Sequence, residues 1–254
     1  MGLHDGRVYW VTGAASGIGR ATVEELAAEG AAVVASDLAR ADLSWAAARD
    51  EITVVEADAT SEADNDAAAA AAVERYGRLD GALLNAGMPK SGPLTELPMA
   101  EFDAVMELNV RGVVLGLRAA VPHLGPGASL VAVASTSGIG ADANMWPYNT
   151  SKGAVINLVR ATAIDLGARG IRVNAVCPGP TETGMTMGIK AAPAVYEGLR
   201  RRIPLGRWGT AAEQAAVVSF LLSAKASFVN GAVVPVDGGV TANTSQFDPP
   251  ERAY

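Results

Sequence analysis

Short apolar runs rich in β-branched residues recur along this chain, separated by longer alanine- and leucine-rich stretches of helical period. The strand-like runs fall at 8–11, 32–36, 52–57, 81–85, 129–135, 171–176 and 232–236. Helical patterns lie near 17–29, 62–76, 99–123, 148–168 and 211–223. Alternation of this kind predicts strands paired in parallel through helical crossovers. Val33-Val34-Ala35 and Leu83-Leu84 show no polar alternation, as expected of strands covered on both faces. The expected class is α/β: a doubly wound, seven-stranded parallel sheet flanked by helices on both faces, in a single domain over 1–254. Leu43, Trp45 and Ala46 to Ala48 leave room for one brief helix, and the low-complexity Ala67 to Ala72 reads as helix because alanine favours it most.

Residues 12–19, Thr-Gly-Ala-Ala-Ser-Gly-Ile-Gly, follow the first strand and open the first helix. Strand, glycine turn and helix in that order suit a dinucleotide, because the helix start offers unpaired N–H groups to a pyrophosphate. The spacing is GxxxGxG, and it marks Gly13, Ser16, Gly17, Ile18 and Gly19 as candidate contacts. Asp37 ends the second strand, some twenty positions on, where a carboxylate accepts from ribose hydroxyls and repels a 2′-phosphate.

Tyr148 and Lys152 are four residues apart on one helical face, and Ser135 precedes the tyrosine by thirteen positions. Proton transfer to or from an alcohol oxygen uses such a set. A phenol of ordinary pKa near ~10 is a poor base at neutral pH. A nearby ammonium is expected to favour the phenolate, which makes Tyr148 the candidate general acid and base. Ser135 would hold the substrate oxygen, with Ser137 as a nearby alternative at the wrong spacing.

Together, TGxxxGxG, Asn85-Ala86-Gly87, Asn109, Ser135, Tyr148-xxx-Lys152 and Pro178-Gly179 occur in an order that resembles the classical short-chain dehydrogenase/reductase family. The resemblance runs from about Gly6 to Gly239 and implies a Rossmann-type fold. It implies that Asp58 and Ala59 contact the adenine, and that Asn85, Ala86 and Gly87 pack beside the adenine ribose. Lys152 would hold the nicotinamide ribose. Pro178, Gly179, Thr181 and Thr183 would form the loop around the nicotinamide. Asn109 would kink the fourth long helix and anchor a water beside the lysine. Relatives that prefer the phosphorylated cofactor usually carry a basic residue where Leu38 or Ser16 stands here, so NAD is expected over NADP. Two positions depart from the pattern: Ala134 before the serine, and Thr181 where Val or Ile is frequent. Residues 184–204 would form a lid over the substrate, and a homotetramer would assemble through segments 99–123 and 148–168.

Composition removes other classes. The formal charge of −7 and the lack of a basic patch with interleaved aromatics argue against a nucleic-acid partner. No apolar stretch approaches the ~20 residues that span a bilayer. The chain starts almost directly on its first strand, leaving no room for a signal peptide, and its single cysteine, Cys177, excludes an internal disulfide and is read as buried. A cytoplasmic protein without a metal site is expected. Arg200 to Arg202 read as a solvated helix end, and the polar tail 241–254 as lying along the surface or a neighbouring subunit.

The leading functional expectation is NAD-dependent interconversion of a secondary alcohol and a ketone. Met145, Trp146, Met185, Met187, Ile189, Tyr196 and Leu199 suggest an apolar or cyclic substrate. One alternative is a 3-oxoacyl-thioester reductase, acting on carrier- or CoA-bound chains, with Arg200 to Arg202 and Arg207 meeting the acidic partner. Asp37 and the negative charge weigh against it. The other is a dinucleotide-binding regulator without turnover, against which the full set Asn109, Ser135, Tyr148 and Lys152 stands.

Overall fold

In the computed structural model, residues 2–243 and Pro249 are described. The chain runs β1 (Val8–Thr12), α1 (Gly17–Ala28), β2 (Ala32–Asp37), α2 (Ser44–Ala47), β3 (Ile52–Glu56), α3 (Glu62–Tyr76) and β4 (Leu79–Leu84). It continues through α4 (Met99–Met106), a π turn at Glu107–Arg111, α5 (Gly112–Ala120), β5 (Leu124–Val133), α6 (Thr136–Ile139), α7 (Trp146–Gly167) and β6 (Arg172–Pro178). Last come β7 (Thr181–Glu182), α8 (Met187–Lys190), α9 (Pro193–Arg201), β8 (Gly209–Thr210), α10 (Ala211–Leu222) and β9 (Val233–Val236).

Seven strands pair in parallel in the order β3-β2-β1-β4-β5-β6-β9, which confirms the doubly wound α/β sheet. Strand order reverses direction between β1 and β4, so the carboxyl ends of these two strands open a crevice there. Every residue of β1 is buried. Val8 and Trp10 join the apolar layer with Leu130, Ile156 and Val159, whereas Tyr9 and Val11 join the opposite layer with Leu26, Val33 and Leu221. Two helical layers cover one sheet, which is why its strands lack polar alternation.

Local chemistry places the helix ends. Ser61 caps α3 by accepting from Asp64 N–H, and Gly77 ends it in a left-handed conformation. Thr210 and Glu213 form a capping box at the start of α10. Pro147 sits in the first turn of α7, where its missing N–H costs nothing, so the helix starts two residues before the expected 148.

Two expected elements differ. The helix expected over 99–123 is interrupted by the π turn, and it ends in a 3-10 turn at Val121–His123. The strand expected over 129–135 runs instead from Leu124 to Val133, so Ser135 lies beyond it and caps α6 through Ser137 N–H. Helices α8 and α9 and the small β7–β8 pair were not legible as periodic runs. Of the polar tail, 244–248 and 250–254 lie outside the described residues.

Candidate active site

The carboxyl ends of the central strands line a cleft of about 1530 Å³. That exceeds the ~300–1,000 Å³ of an ordinary small-molecule site and leaves room for a large ligand beside a small one. Every predicted site residue lines it except Gly19 and Asn109.

At one end, the glycine turn passes from β1 into α1. Gly13 adopts φ +64°, and a Cβ on Gly19 would lie 2.1 Å from the Gly13 carbonyl oxygen. Only glycine at 19 lets helix and turn meet. Asn85 braces the turn: its Nδ2 donates to the carbonyls of Thr12 (3.1 Å) and Gly13 (3.0 Å). Thr12, unassigned by sequence reasoning, receives the backbone N–H groups of Asn85 (2.9 Å) and Ala86 (3.1 Å) on its Oγ1. The threonine of the TGxxxGxG pattern was the available signal. Asp37 binds the turn as well, accepting from Ala15 N–H at 2.9 Å, with its other oxygen on Leu38 N–H at 2.8 Å. Asp58 accepts from the Thr60 backbone and hydroxyl at 2.9 and 2.8 Å, shaping the bend after β3. Both carboxylates therefore hold backbone in place while lining the cleft.

At the other end stand the three reactive side chains. Lys152 is buried, and its ammonium donates to the Val133 carbonyl at 2.8 Å. It lies 5.6 Å from the centre of the Tyr148 ring. Burial pulls the lysine down to about 8, with Cys177 opposing. Burial also pushes the Tyr148 phenol above its ordinary value; a hydrogen bond with Ser135 works against this, while Asp142 and Cys177 add to it. In the protein alone the phenol therefore moves opposite to the expected direction, because desolvation of the phenolate outweighs the Ser135 hydrogen bond. Cys177 is buried, and burial raises its thiol to about 11, which keeps it protonated.

Asn109 is fully buried inside the π turn. Its Oδ1 accepts from Met88 N–H (2.8 Å), and its Nδ2 donates to the Met88 carbonyl (2.9 Å) and Ser151 Oγ (3.0 Å). The carboxamide thus clamps the segment after β4 to the helix carrying Tyr148. A Cβ on Gly87 would lie 3.1 Å from Asn109 Oδ1 and 3.4 Å from Lys152 Nζ, so the segment after β4 passes close against both side chains.

The apolar end of the cleft is lined by Met88, Met145, Met185, Ile189, Leu199 and Trp208. Trp146, Met187 and Tyr196, expected here, are not among its lining residues. Trp146 stacks on Phe102, and Tyr196 stacks on Trp208, the ring that does line the cleft. Trp208 was missed because it belongs to no periodic run. Within the basic run Arg200 and Arg201 share Glu197 and Arg202 lines the cleft, while Arg207 pairs with Glu213.

Residues 13–241 match the family model described as enoyl-(acyl carrier protein) reductase. The chain is 41% identical over 248 residues to 2-(R)-hydroxypropyl-CoM dehydrogenase of Xanthobacter autotrophicus, covering 93% of this chain and 99% of that one. It belongs to the classical short-chain dehydrogenase/reductase family. Among solved members of this short-chain dehydrogenase/reductase family, levodione reductase superposes with a TM-score of 0.87 at 38% identity, covering 94% of this chain and 98% of that chain. A 3-ketoacyl-(acyl-carrier-protein) reductase from Brucella melitensis, complexed with NADH, has TM-score 0.84 and 34% identity, with 93% and 99% of the chains covered. A short-chain dehydrogenase from Burkholderia cenocepacia in complex with NADP has TM-score 0.86 and 33% identity, with 94% and 99% covered. This family member is accordingly a nucleotide-binding oxidoreductase. The cleft fits a nicotinamide dinucleotide: a glycine-only backbone approach, an acidic residue at the end of β2 and a buried lysine follow one another along it. Among the described residues, no group of His, Cys, Asp and Glu is placed to hold a metal, and no helix is long and apolar enough to cross a membrane.

Proposed function

We propose that this short-chain dehydrogenase/reductase interconverts a secondary alcohol and a ketone, with Tyr148 moving the proton and NAD(H) preferred over NADP(H). The observation that carries this reading is the convergence of Ser135, Tyr148 and Lys152 on one end of the cleft. When bound, a nicotinamide ring supplies hydride chemistry beside them. Ser135 positions the substrate oxygen, and Tyr148 takes its proton in oxidation and returns it in reduction. Lys152 is the candidate hold on the nicotinamide ribose, and its residual charge, beside a cationic ligand, favours the phenolate. Ser16, Gly17 and Ile18 are the candidate contacts of the pyrophosphate, Asp58 and Ala59 of the adenine, and Pro178, Gly179, Thr181 and Thr183 of the nicotinamide. The Asp37 carboxylate in the cleft, followed by Leu38 rather than a basic residue, supports the unphosphorylated cofactor. The methionine- and tryptophan-lined end supports an apolar or cyclic substrate beneath a lid of residues 184–204. The thioester reading is weakened rather than removed, since Arg200, Arg201 and Arg207 have acidic partners while Arg202 lines the cleft.

We further read the chain as one catalytic body that assembles as a homotetramer through α4–α5 and α7, which a sedimentation experiment at micromolar concentration tests. For activity, steady-state assays with both cofactors against cyclic alcohols and acetoacetyl-CoA are decisive. Tyr148→Phe is expected to lower turnover at least ~100-fold, the lower range for a positioned acid or base. Wild-type rates in that variant would overturn the assignment.

A further inference from the structure

Ser135 does not stand alone at the cleft. Its Oγ lies 3.2 Å from Ser137 Oγ and accepts from Ser137 N–H at 3.1 Å. Ser137 Oγ in turn donates to Asp142 Oδ2 at 2.5 Å, a separation typical of a hydrogen bond to a charged acceptor. Asp142 is fixed from behind by the residue after the catalytic tyrosine, as Asn149 Nδ2 donates to its carbonyl at 2.9 Å.

The order of protons along this chain follows from donor and acceptor counts. An ionised carboxylate only accepts, so the single Ser137 proton is committed to Asp142. The link between the serines must then carry the Ser135 proton. With one lone pair on Ser137 N–H, Ser135 has only an acceptor left to offer the cleft.

We infer that Asp142, acting through Ser137, is a positioning residue that presents Ser135 as a hydrogen-bond acceptor, so that the resting site favours an alcohol and a protonated Tyr148. Forming the phenolate, or binding a ketone, requires Ser135 to turn its proton into the cleft and give up the bond to Ser137. This rests on the proposed role of Tyr148. The groups facing that phenol are Asp142 from the loop before α7, Ser135 from the start of α6, Lys152 from its own helix and Cys177 from β6. Asp142 raises the phenol, in the same direction as the proton order, whereas the Ser135 contact opposes it.

Two variants separate the relay from simple charge. Asp142→Ala removes both the charge and the acceptor of the Ser137 proton, whereas Ser137→Ala cuts the link and leaves the charge. Ultraviolet difference titration against Tyr148→Phe reads this phenol without requiring turnover, so its result stands apart from that of the activity assays. Both variants are expected to move the Tyr148 titration to lower pH, Asp142→Ala by about one unit, and the double variant no further than Asp142→Ala. In kcat/KM for alcohol oxidation the acidic limb should move likewise, whereas a purely structural role would lower the rate at every pH. An unmoved phenol in Ser137→Ala, or strictly additive shifts in the double variant, would overturn the relay.

Discussion

Lys152 illustrates how a single residue carries function at a structural cost. Its folded value is lowered from 10.5 to about 8 by burial. At ~1.4 kcal/mol per pKa unit, keeping it charged costs on the order of 3 kcal/mol. The sign follows from proton counting: between about 8 and 10.5 the unfolded chain holds the extra proton, so stability rises with pH across that window, and the full cost is present below it. Lys152→Met is therefore expected to melt no lower than the wild type at neutral pH, although the Val133 carbonyl loses its donor. Its advantage should shrink as pH rises past about 8, while turnover falls. Calorimetry across that range checks the claim, and a strongly destabilised variant at neutral pH would contradict it. The Tyr/Lys spacing made the pair legible in sequence. The direction of either pKa was not, because burial depends on strands far away in the chain.

Among the elements, the glycine turn and the π turn give opposite lessons. The turn was readable because three glycines follow a strand and open a helix. Gly19→Ala would force a methyl to within 2.1 Å of the Gly13 oxygen, so loss of nucleotide binding together with a lower melting temperature is expected in thermal-shift titrations. The π turn was invisible to periodicity: one extra residue shifts the phase of a helix without changing its composition. Its key side chain, Asn109, closes both backbone groups of Met88. Removing it as Asn109→Ala leaves two polar groups short of partners, each worth about 1–3 kcal/mol. Denaturant unfolding should show a loss of roughly 3 kcal/mol. A loss under about 0.5 kcal/mol, the scale of an ordinary surface substitution, would mean the clamp is dispensable.

At the scale of the molecule, residues before the first strand are tied to its far end. His4 is buried, with Nδ1 on the Tyr9 hydroxyl and Nε2 on Ser219 Oγ of α10, both at 2.9 Å. Burial lowers its pKa below 6.5, although Glu29 and the Ser219 contact oppose this. As pH falls through 6.5 the unfolded chain binds the proton first, so the stability present above that value is progressively lost. His4→Gln should have a lower plateau at neutral pH but a flatter acid limb in the melting profile. An acid limb as steep as that of the wild type would assign acid sensitivity elsewhere.

The linear chain by itself determined the alternation of strands and helices, the glycine turn, and the Ser135, Tyr148 and Lys152 spacing. These depend on neighbours a few residues apart, where side-chain period and backbone geometry act directly. Only the folded sheet decided that Asn85 and Thr12 brace the turn, that Trp208 rather than Trp146 lines the cleft, and that Asp142 reaches Ser137. Such contacts exist because β1 and β4 lie side by side where the strand order reverses, and because α7 packs across β5. A local pattern does not encode which distant groups meet there; burial and hydrogen-bond saturation select them once the sheet has formed.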